Sequence, residues 1–253
     1  MSHAATVLTA YHHTMSHNAG LIPLVWALGA SLKLDIGYYP HLVLQGPSGS
    51  GKSTLLHGLR ATIPFNVFGR DCLDTERDRA ITLSQSDDPV AWKGLGDLPG
   101  DETDRAIELL YDAYRYVVYL RGIRLKKYFI RSPALLSEDG PVHPLIAEKV
   151  VCVRIREKYQ PLPNDLPLFP FHEWKRFIAG LDRGYVKAMN DGTSDYLQSQ
   201  VPYVLPIIAQ NYSVVLTAWW LLKDFSGLDD KDLDCANSLM AEMEYHIDPE
   251  GGE

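Results

Sequence analysis

The feature that most constrains this chain is a glycine-rich turn between an apolar run and a helix-forming segment. Residues 41–56 read HLVLQGPSGSGKSTLL, and positions 46–53 fit the pattern G-x-x-x-x-G-K-[ST]. The apolar residues 42–44 predict a short buried strand, and residues 53–59 predict the helix that follows it. A strand, a glycine turn and a helix in this order form a P-loop. The sequence therefore predicts an α/β fold, with a parallel sheet flanked by helices.

The residues of this turn carry the chemistry of phosphate binding. Glycines allow backbone N–H groups to curl around an anion, and the N-terminus of the helix adds partial positive charge. We expect Lys52 to reach the β- and γ-phosphates of ATP, and the Ser53 hydroxyl to hold Mg²⁺. The predicted cofactors are therefore ATP and Mg²⁺. The predicted cofactor-binding residues are Gly46, Pro47, Ser48, Gly49, Ser50, Gly51, Lys52, Ser53 and Thr54.

The bulk properties exclude several classes of protein. The chain has 253 residues and is 46% apolar, which is enough for a packed globular core. A net charge of -8 argues against a surface that binds nucleic acid everywhere, so any such site must be local. Three widely spaced cysteines suggest neither a disulfide framework nor a zinc site, which favours the cytoplasm. The most apolar stretch, residues 19–32, is too short to span a bilayer, and we expect no membrane segment.

The apolar pattern divides the chain into three parts. Residues 1–36 predict an N-terminal segment of two helices, and residues 37–158 hold the P-loop and the core. Four prolines in residues 161–170 indicate a linker, so residues 159–253 are expected to form a C-terminal helical lid or subdomain. The other predicted elements are strands at 88–92 and 148–156 and helices at 101–119, 171–189, 196–225 and 231–245.

The strand predicted at 88–92 ends without the acidic pair that P-loop ATPases place there. In those enzymes one carboxylate tunes Mg²⁺ and its water, and the second polarises the attacking water. Here Lys93 and Gly94 follow the strand, and the nearest carboxylates include Asp97 and Glu102. We therefore expect ATP to bind and hydrolysis to be slow or absent. The alternative is a different strand register, in which Asp97 or Glu102 supplies the catalytic base.

The order of these parts resembles the P-loop ATPase domains of helicase and primase-helicase proteins of phages, plasmids and other mobile elements. These are distant kin of the AAA+ (RecA-like) and superfamily 3 helicases. The resemblance runs over residues 20–225, and only its P-loop is highly specific. The stretches that carry it are residues 38–54, 86–92, 131–138 and 148–153.

This resemblance implies an ATP-driven module that acts on DNA in replication or in mobile-element DNA transactions. It also implies a homo-oligomeric ring such as a hexamer, in which a residue just before the last strand is an arginine finger reaching across a subunit boundary. Lys149 stands near that place, and residues 131–138 stand where the sensor strand is expected. The candidate catalytic residues are Lys52, Asp97, Glu102 and Lys149.

Residues 120–131 form the only dense cationic run of the chain. They alternate apolar and basic residues around Gly122, as a β-hairpin or two strands would. Superfamily 3 helicases carry a basic hairpin at the corresponding place, so the resemblance implies contact with DNA phosphates. The alternative is a solvated hairpin whose charges keep a sheet edge soluble. The candidate nucleic-acid residues are Arg121, Arg124, Lys126 and Lys127.

Two other classes remain open. The P-loop sequence is also similar to that of guanylate kinases, which suggests a nucleotide or small-molecule kinase. Against a kinase, roughly forty residues precede the P-loop, and no arginine-rich acceptor-binding pattern follows it closely. The lost acidic pair supports instead a non-catalytic assembly or regulatory subunit, in which ATP is structural.

Overall fold

A parallel sheet lies at the centre of the protein. The computed structural model describes residues 2–15, 18–115, 117–121, 126–156, 160–229 and 233–247. The strands among these residues are β1 (His41–Gln45), β2 (Asn66–Phe68), β3 (Val90–Trp92), β4 (Val117–Arg121), β5 (Lys126–Ile130), β6 (Ala134–Glu138) and β7 (Val150–Arg154). Five of them form one parallel sheet in the order β2-β3-β6-β1-β7, and β4 and β5 form a separate antiparallel hairpin. The predicted α/β class is confirmed.

The strand that carries the P-loop sits between two strands that come late in the chain. Leu42 of β1 is in register with Leu135 of β6 on one side and with Val151 of β7 on the other. The strand β3 pairs with the far side of β6, through Ala91 and Leu135. Because all these strands are parallel, their carboxyl ends meet at one edge of the sheet. The P-loop, the end of β6 and the end of β3 therefore lie along that edge.

Helices cover both faces of the sheet, as a parallel sheet requires. In the described part of the chain they are α1 (His3–His12), α2 (Leu21–Gly29), α3 (Lys33–Ile36), α4 (Lys52–Thr62), α5 (Glu76–Ser84), α6 (Gly100–Ala113), α7 (Phe171–Ala179), α8 (Arg183–Gln200), α9 (Pro206–Ser226) and α10 (Cys235–Ile247). The P-loop helix α4 packs on the same face as α1, α2 and the C-terminal helices, through one continuous apolar cluster. A second cluster joins the other face to α5 and α6.

Side chains alternate between these two faces along each strand. Leu42, Leu44 and Leu135 belong to the cluster that contains α4. Val43 and Leu136 belong to the cluster that contains α5 and α6. Within one strand, residues two positions apart therefore share a face of the sheet, and residues next to each other lie on opposite faces. We call this alternation the parity of a residue in its strand. It decides which side chains at the end of a strand can reach the P-loop.

The helix predicted at 101–119 ends earlier than expected. The observed α6 stops at Ala113, and residues from Val117 onwards form β4. The buried Lys33 ammonium donates to the Ala113 carbonyl at 2.9 Å and to the Arg131 carbonyl at 3.0 Å, which satisfies the end of α6 and fixes the end of the hairpin. The β-branched and aromatic residues that follow favour a strand. The prediction was wrong here because the strand-forming residues after Ala113 leave the helix, and a distant lysine satisfies the carbonyl at its end.

Among its described residues, the C-terminal region contains one more helix than the three predicted. The pattern over 171–189 is broken because Asp182 caps a new helix, with its carboxylate accepting from the Tyr185 N–H at 2.9 Å. The helices α8 and α9 then pack together, and α9 lies against α2. Within the described residues, none of the helices is both long and apolar enough to cross a membrane.

Candidate nucleotide site

The P-loop has the backbone geometry that its glycines allow. Gly49 and Gly51 adopt positive φ angles of 82° and 105°, in the left-handed region that suits glycine. A Cβ added at Gly46 would lie 2.9 Å from the carbonyl oxygen of Ile155, so that position admits no side chain. The helix α4 begins at Lys52, immediately after Gly51. The turn therefore presents the N-terminus of an 11-residue helix to the carboxyl edge of the sheet.

Lys52 is buried and held by three acceptors. Its ammonium donates to the carbonyl oxygens of Gly46 and Pro47, the second at 3.0 Å. It also lies 2.6 Å from Oδ1 of Asp139, which follows directly after β6. Three acceptors match the three N–H groups of an ammonium. A phosphate that uses Lys52 must therefore replace one of these partners.

A cavity of about 270 Å³ opens beside the P-loop. The side chains of Ser53, Ser137 and Asp139 line it together with the residues of the turn. The hydroxyl of Ser50 is buried in the turn and has no hydrogen-bond partner among the described residues. A buried hydroxyl without a partner is costly, but Ser50 is not among the residues that line this cavity. The helix N-terminus and the Lys52 ammonium suit a phosphate group there, and the oxygen atoms of Ser53, Ser137 and Asp139 suit a hard cation.

The carboxyl end of β3 is basic rather than acidic, as the sequence indicates. Lys93 follows Trp92, and its backbone N–H donates to the Phe68 carbonyl at 2.9 Å, which continues the sheet. Asp97 ends a short 3-10 helix and is exposed. Its carboxylate lies against the turn at Gly94, 2.9 Å from where a Cβ on that glycine would sit. Asp97 is not among the residues that line the 270 Å³ cavity.

Glu102 is engaged in two ion pairs. Its Oε2 accepts from the buried Arg79 guanidinium at 2.7 Å, and its Oε1 accepts from Arg105 at 2.5 Å. The hydrogen bond from Arg79 lowers the pKa of Glu102, which weakens it as a base. Arg79 also donates to the Leu73 carbonyl at 2.8 Å. These contacts tie α5 to the start of α6, and they favour a structural role for Glu102 over the predicted catalytic one.

Two carboxylates that sequence reasoning did not select lie at the end of β6. Asp139 contacts Lys52, as described above. Glu138 faces the other way, into a separate cavity of about 300 Å³ that it shares with Gly96 and Val142. Burial, together with Asp139 and Asp97, raises the pKa of Glu138 to about 6. In the sequence, Glu138 and Asp139 stand side by side where the 131–138 stretch ends. The distance of these two carboxylates from the P-loop depends on the strand order, which the sequence does not show.

Lys149 lies at the opposite edge of the sheet from the P-loop of its own chain. It precedes Val150, which is in register with His41 at the amino end of β1. Gln45 lies four residue steps along the strand from His41, or about 13 Å. The Lys149 ammonium sits 4.8 Å from the ring centre of Tyr114. Any contact between Lys149 and a P-loop would therefore be with that of another subunit.

The basic segment forms the predicted hairpin. Val117 pairs with Ile130, and Arg121 pairs with Lys126 at the far end of the ladder. The backbone N–H of Arg131 donates to the Leu83 carbonyl at 2.9 Å, which fixes the hairpin to the end of α5. Of the candidate nucleic-acid residues, Arg121, Lys126 and Lys127 lie on these strands, and Arg124 lies outside the described residues.

A larger cavity adjoins the P-loop on the side of β7. Its volume is about 700 Å³, and its lining includes Gly46, Pro47 and Asp139. Arg154 and Tyr245 also line it, with the guanidinium carbon 3.5 Å from the ring centre. Cavities of this size hold small organic ligands.

Comparison with known proteins gives a fold but no family. No protein-family profile matches the chain, and no curated protein matches it. A solved structure titled "SCCmec type IV Cch - active helicase" matches over 89% of this chain and 47% of that chain, with a TM-score of 0.58 and 14% identity. "The X-ray structure of JCV Helicase" matches over 98% of this chain and 60% of that chain, with a TM-score of 0.40 and 16% identity. The chain thus spans about half of the first protein, and its fold is helicase-like.

Proposed function

We propose that this chain is an ATP-binding module of a helicase-like motor that acts on DNA. The observation that carries the proposal is the P-loop, with a buried Lys52 directed into a cavity lined by Ser53 and Asp139. The helicase-like fold supports it, because a P-loop at the carboxyl edge of this sheet is where such a fold places a nucleotide.

ATP is the proposed ligand and Mg²⁺ its companion. The backbone N–H groups of the turn and Lys52 would hold the phosphates, and the 700 Å³ cavity offers room for the nucleoside. The Ser53 hydroxyl is an oxygen ligand of the kind Mg²⁺ prefers. No group of three metal-ligating side chains occurs among the described residues, so most of the cation's ligands would come from phosphate and water. The cation would neutralise phosphate charge.

The proposed motor is a homo-oligomeric ring. The position of Lys149 is compatible with a ring. Lys149 lies at the amino end of the sheet, about 13 Å along the strand from the P-loop of its own chain, so that a P-loop it contacts would belong to a neighbouring subunit. In that arrangement the basic hairpin, with Arg121, Lys126 and Lys127 on its strands, would contact the phosphates of DNA. DNA replication or mobile-element DNA transactions are the processes that such a module would serve.

A second candidate is a non-catalytic subunit in which ATP stabilises an assembly. Lys93 at the end of β3 favours it, because the usual acidic pair is absent there. Both candidates bind ATP, and they differ in turnover.

Light scattering after size-exclusion chromatography tests the proposal, with and without ATP and Mg²⁺. A motor module is expected to form a ring on addition of nucleotide, and the Lys52→Ala variant is expected not to. Phosphate release in the presence of single-stranded DNA then separates a motor from an assembly subunit. A chain that stays monomeric and transfers phosphate to nucleoside monophosphates would contradict the proposal and identify a kinase.

A further inference from the structure

The strand order brings the end of β6 closer to the P-loop than the end of β3. The strand β6 pairs directly with β1, whereas β3 pairs with the far side of β6. Neighbouring strands lie about 4.8 Å apart, so the end of β3 is about twice as far from β1 as the end of β6. The backbone N–H of Gly46, at the start of the P-loop, donates to the carbonyl of Glu138 at 3.4 Å. A carboxylate placed at the end of β6 thus lies beside the phosphate site.

Parity decides which carboxylate faces that site. Leu135 shares the apolar cluster of α4, and Ser137, two residues later, lines the P-loop cavity. Asp139 has the same parity and lines the same cavity. Glu138 has the opposite parity, follows Leu136 on the other face, and lines a different cavity. Asp139 is therefore the carboxylate on the phosphate side of the sheet.

The contact between Asp139 and Lys52 is easily exchanged. The Lys52 side chain is 9% exposed, whereas the Asp139 side chain is 64% exposed. An ion pair with one member in solvent contributes little to stability. The carbonyl oxygens of Gly46 and Pro47 belong to the turn itself. A γ-phosphate would therefore displace Asp139 from Lys52 and leave its carboxylate next to the phosphate.

We propose that Asp139, directly after β6, is the catalytic carboxylate of this site. It takes the place of the carboxylate that P-loop ATPases have at the end of β3, where this chain has Lys93. The proposal rests on the proposed ATP-binding function and deepens it. Without nucleotide, Asp139 holds Lys52. With ATP bound, Lys52 turns to the phosphates and Asp139 accepts a proton from the attacking water.

The atoms of this step balance. The water oxygen forms a bond to the γ-phosphorus, while the bond between that phosphorus and the β–γ bridging oxygen breaks. The proton of the water passes to the Asp139 carboxylate and then to solvent. ADP and inorganic phosphate leave, and the Asp139–Lys52 pair can form again.

The test compares Asp139→Asn with Glu138→Gln, which removes the neighbouring carboxylate of the opposite face. We measure phosphate release with single-stranded DNA, and the affinity of each protein for a non-hydrolysable ATP analogue by calorimetry, with and without Mg²⁺. Asp139→Asn is expected to lower turnover by about 100-fold or more, in line with the loss of a general base. Its affinity for the analogue without Mg²⁺ is expected to stay equal or to rise a few-fold, because a competitor for Lys52 is gone. Glu138→Gln is expected to keep turnover within about threefold of wild type.

Two outcomes overturn the proposal and leave ATP binding intact. One is Asp139→Asn with wild-type turnover, and the other is a wild type that binds the analogue and releases no phosphate. A third outcome also overturns it. If Asp139→Asn without Mg²⁺ loses affinity for the analogue by the same factor as it loses turnover, the carboxylate is needed to bind ATP and not to activate water. A wild type that does not bind the analogue at all would instead refute the proposed function.

Discussion

One buried ion pair joins α10 to the end of β7, beside the P-loop. Glu242 of α10 is 4% exposed and Arg154 at the end of β7 is 14% exposed. The Glu242 Oε2 accepts from the Arg154 backbone N–H and from its Nε, both at 3.0 Å. The next residue, Ile155, donates to the carbonyl of Gln45 at 2.7 Å, at the base of the P-loop. Loss of this pair should therefore destabilise the fold next to the nucleotide site.

Replacement of Glu242 by methionine preserves the volume of the side chain and removes its charge. Breaking a buried ion pair by removing one partner costs about 3–5 kcal/mol. We expect the lower end, about 3 kcal/mol, because Arg154 keeps some solvent and its stacking on Tyr245. In a chain of this size that corresponds to a fall in Tm of roughly 6–12 °C.

Thermal and urea unfolding measure this loss, and a double variant controls for it. The variant Glu242→Met with Arg154→Met removes both charges, and it is expected to be more stable than Glu242→Met alone, because no charge is left buried without a partner. A fall in Tm of less than 2 °C for Glu242→Met would show that this ion pair contributes little to the stability of the fold. So would a double variant whose losses simply add, because the two side chains would then be energetically independent.

Two further predictions concern the hairpin and the lysine at its base. Replacing Lys126 and Lys127 by alanine should weaken binding of single-stranded DNA and reduce the slope of log K against log salt concentration by about one unit per lost contact. Fluorescence anisotropy measures this slope, with Lys187→Ala, at an exposed position, as the control. Equal slopes in the double variant and the wild type would contradict the prediction. Burial lowers the pKa of Lys33 to about 8, against 10.5 for the free group. Between pH 8 and pH 10 the unfolded chain therefore binds one proton more at Lys33 than the folded chain does. The free energy of unfolding, measured in urea titrations, should rise with pH over this range relative to that of Lys33→Met. A difference between the two proteins that stays constant with pH would contradict the prediction.

The sequence predicts the P-loop because that element is local. Its strand, its glycines and its helix are contiguous, and the positive φ angles at Gly49 and Gly51 follow from residue type. The hairpin is predictable for the same reason, since alternation and a central glycine mark it directly. Local patterns thus account for both the glycine-rich turn and the cationic segment.

The rest depends on contacts between distant parts of the chain. The contact between Asp139 and Lys52 could not be predicted, because it requires β6 to lie between β1 and β3. The contact between Glu102 and Arg79 joins two helices 23 positions apart, and no pattern in either helix shows it. The carbonyl of Ala113 at the end of α6 accepts from Lys33, 80 positions earlier. Each of these features is decided by tertiary packing, which overrides local propensity.

Binding of a nucleoside triphosphate to the P-loop through Lys52 is measured by calorimetric titration of a non-hydrolysable ATP analogue with Mg²⁺, on the wild type and on Lys52→Ala. We expect the wild type to bind the analogue. We expect the variant to lose about 2 kcal/mol or more, roughly 30-fold in Kd, because a charge-assisted contact to phosphate is lost in a buried loop. Equal affinities in the two proteins, or no binding by the wild type, would show that Lys52 does not hold a nucleotide in this loop.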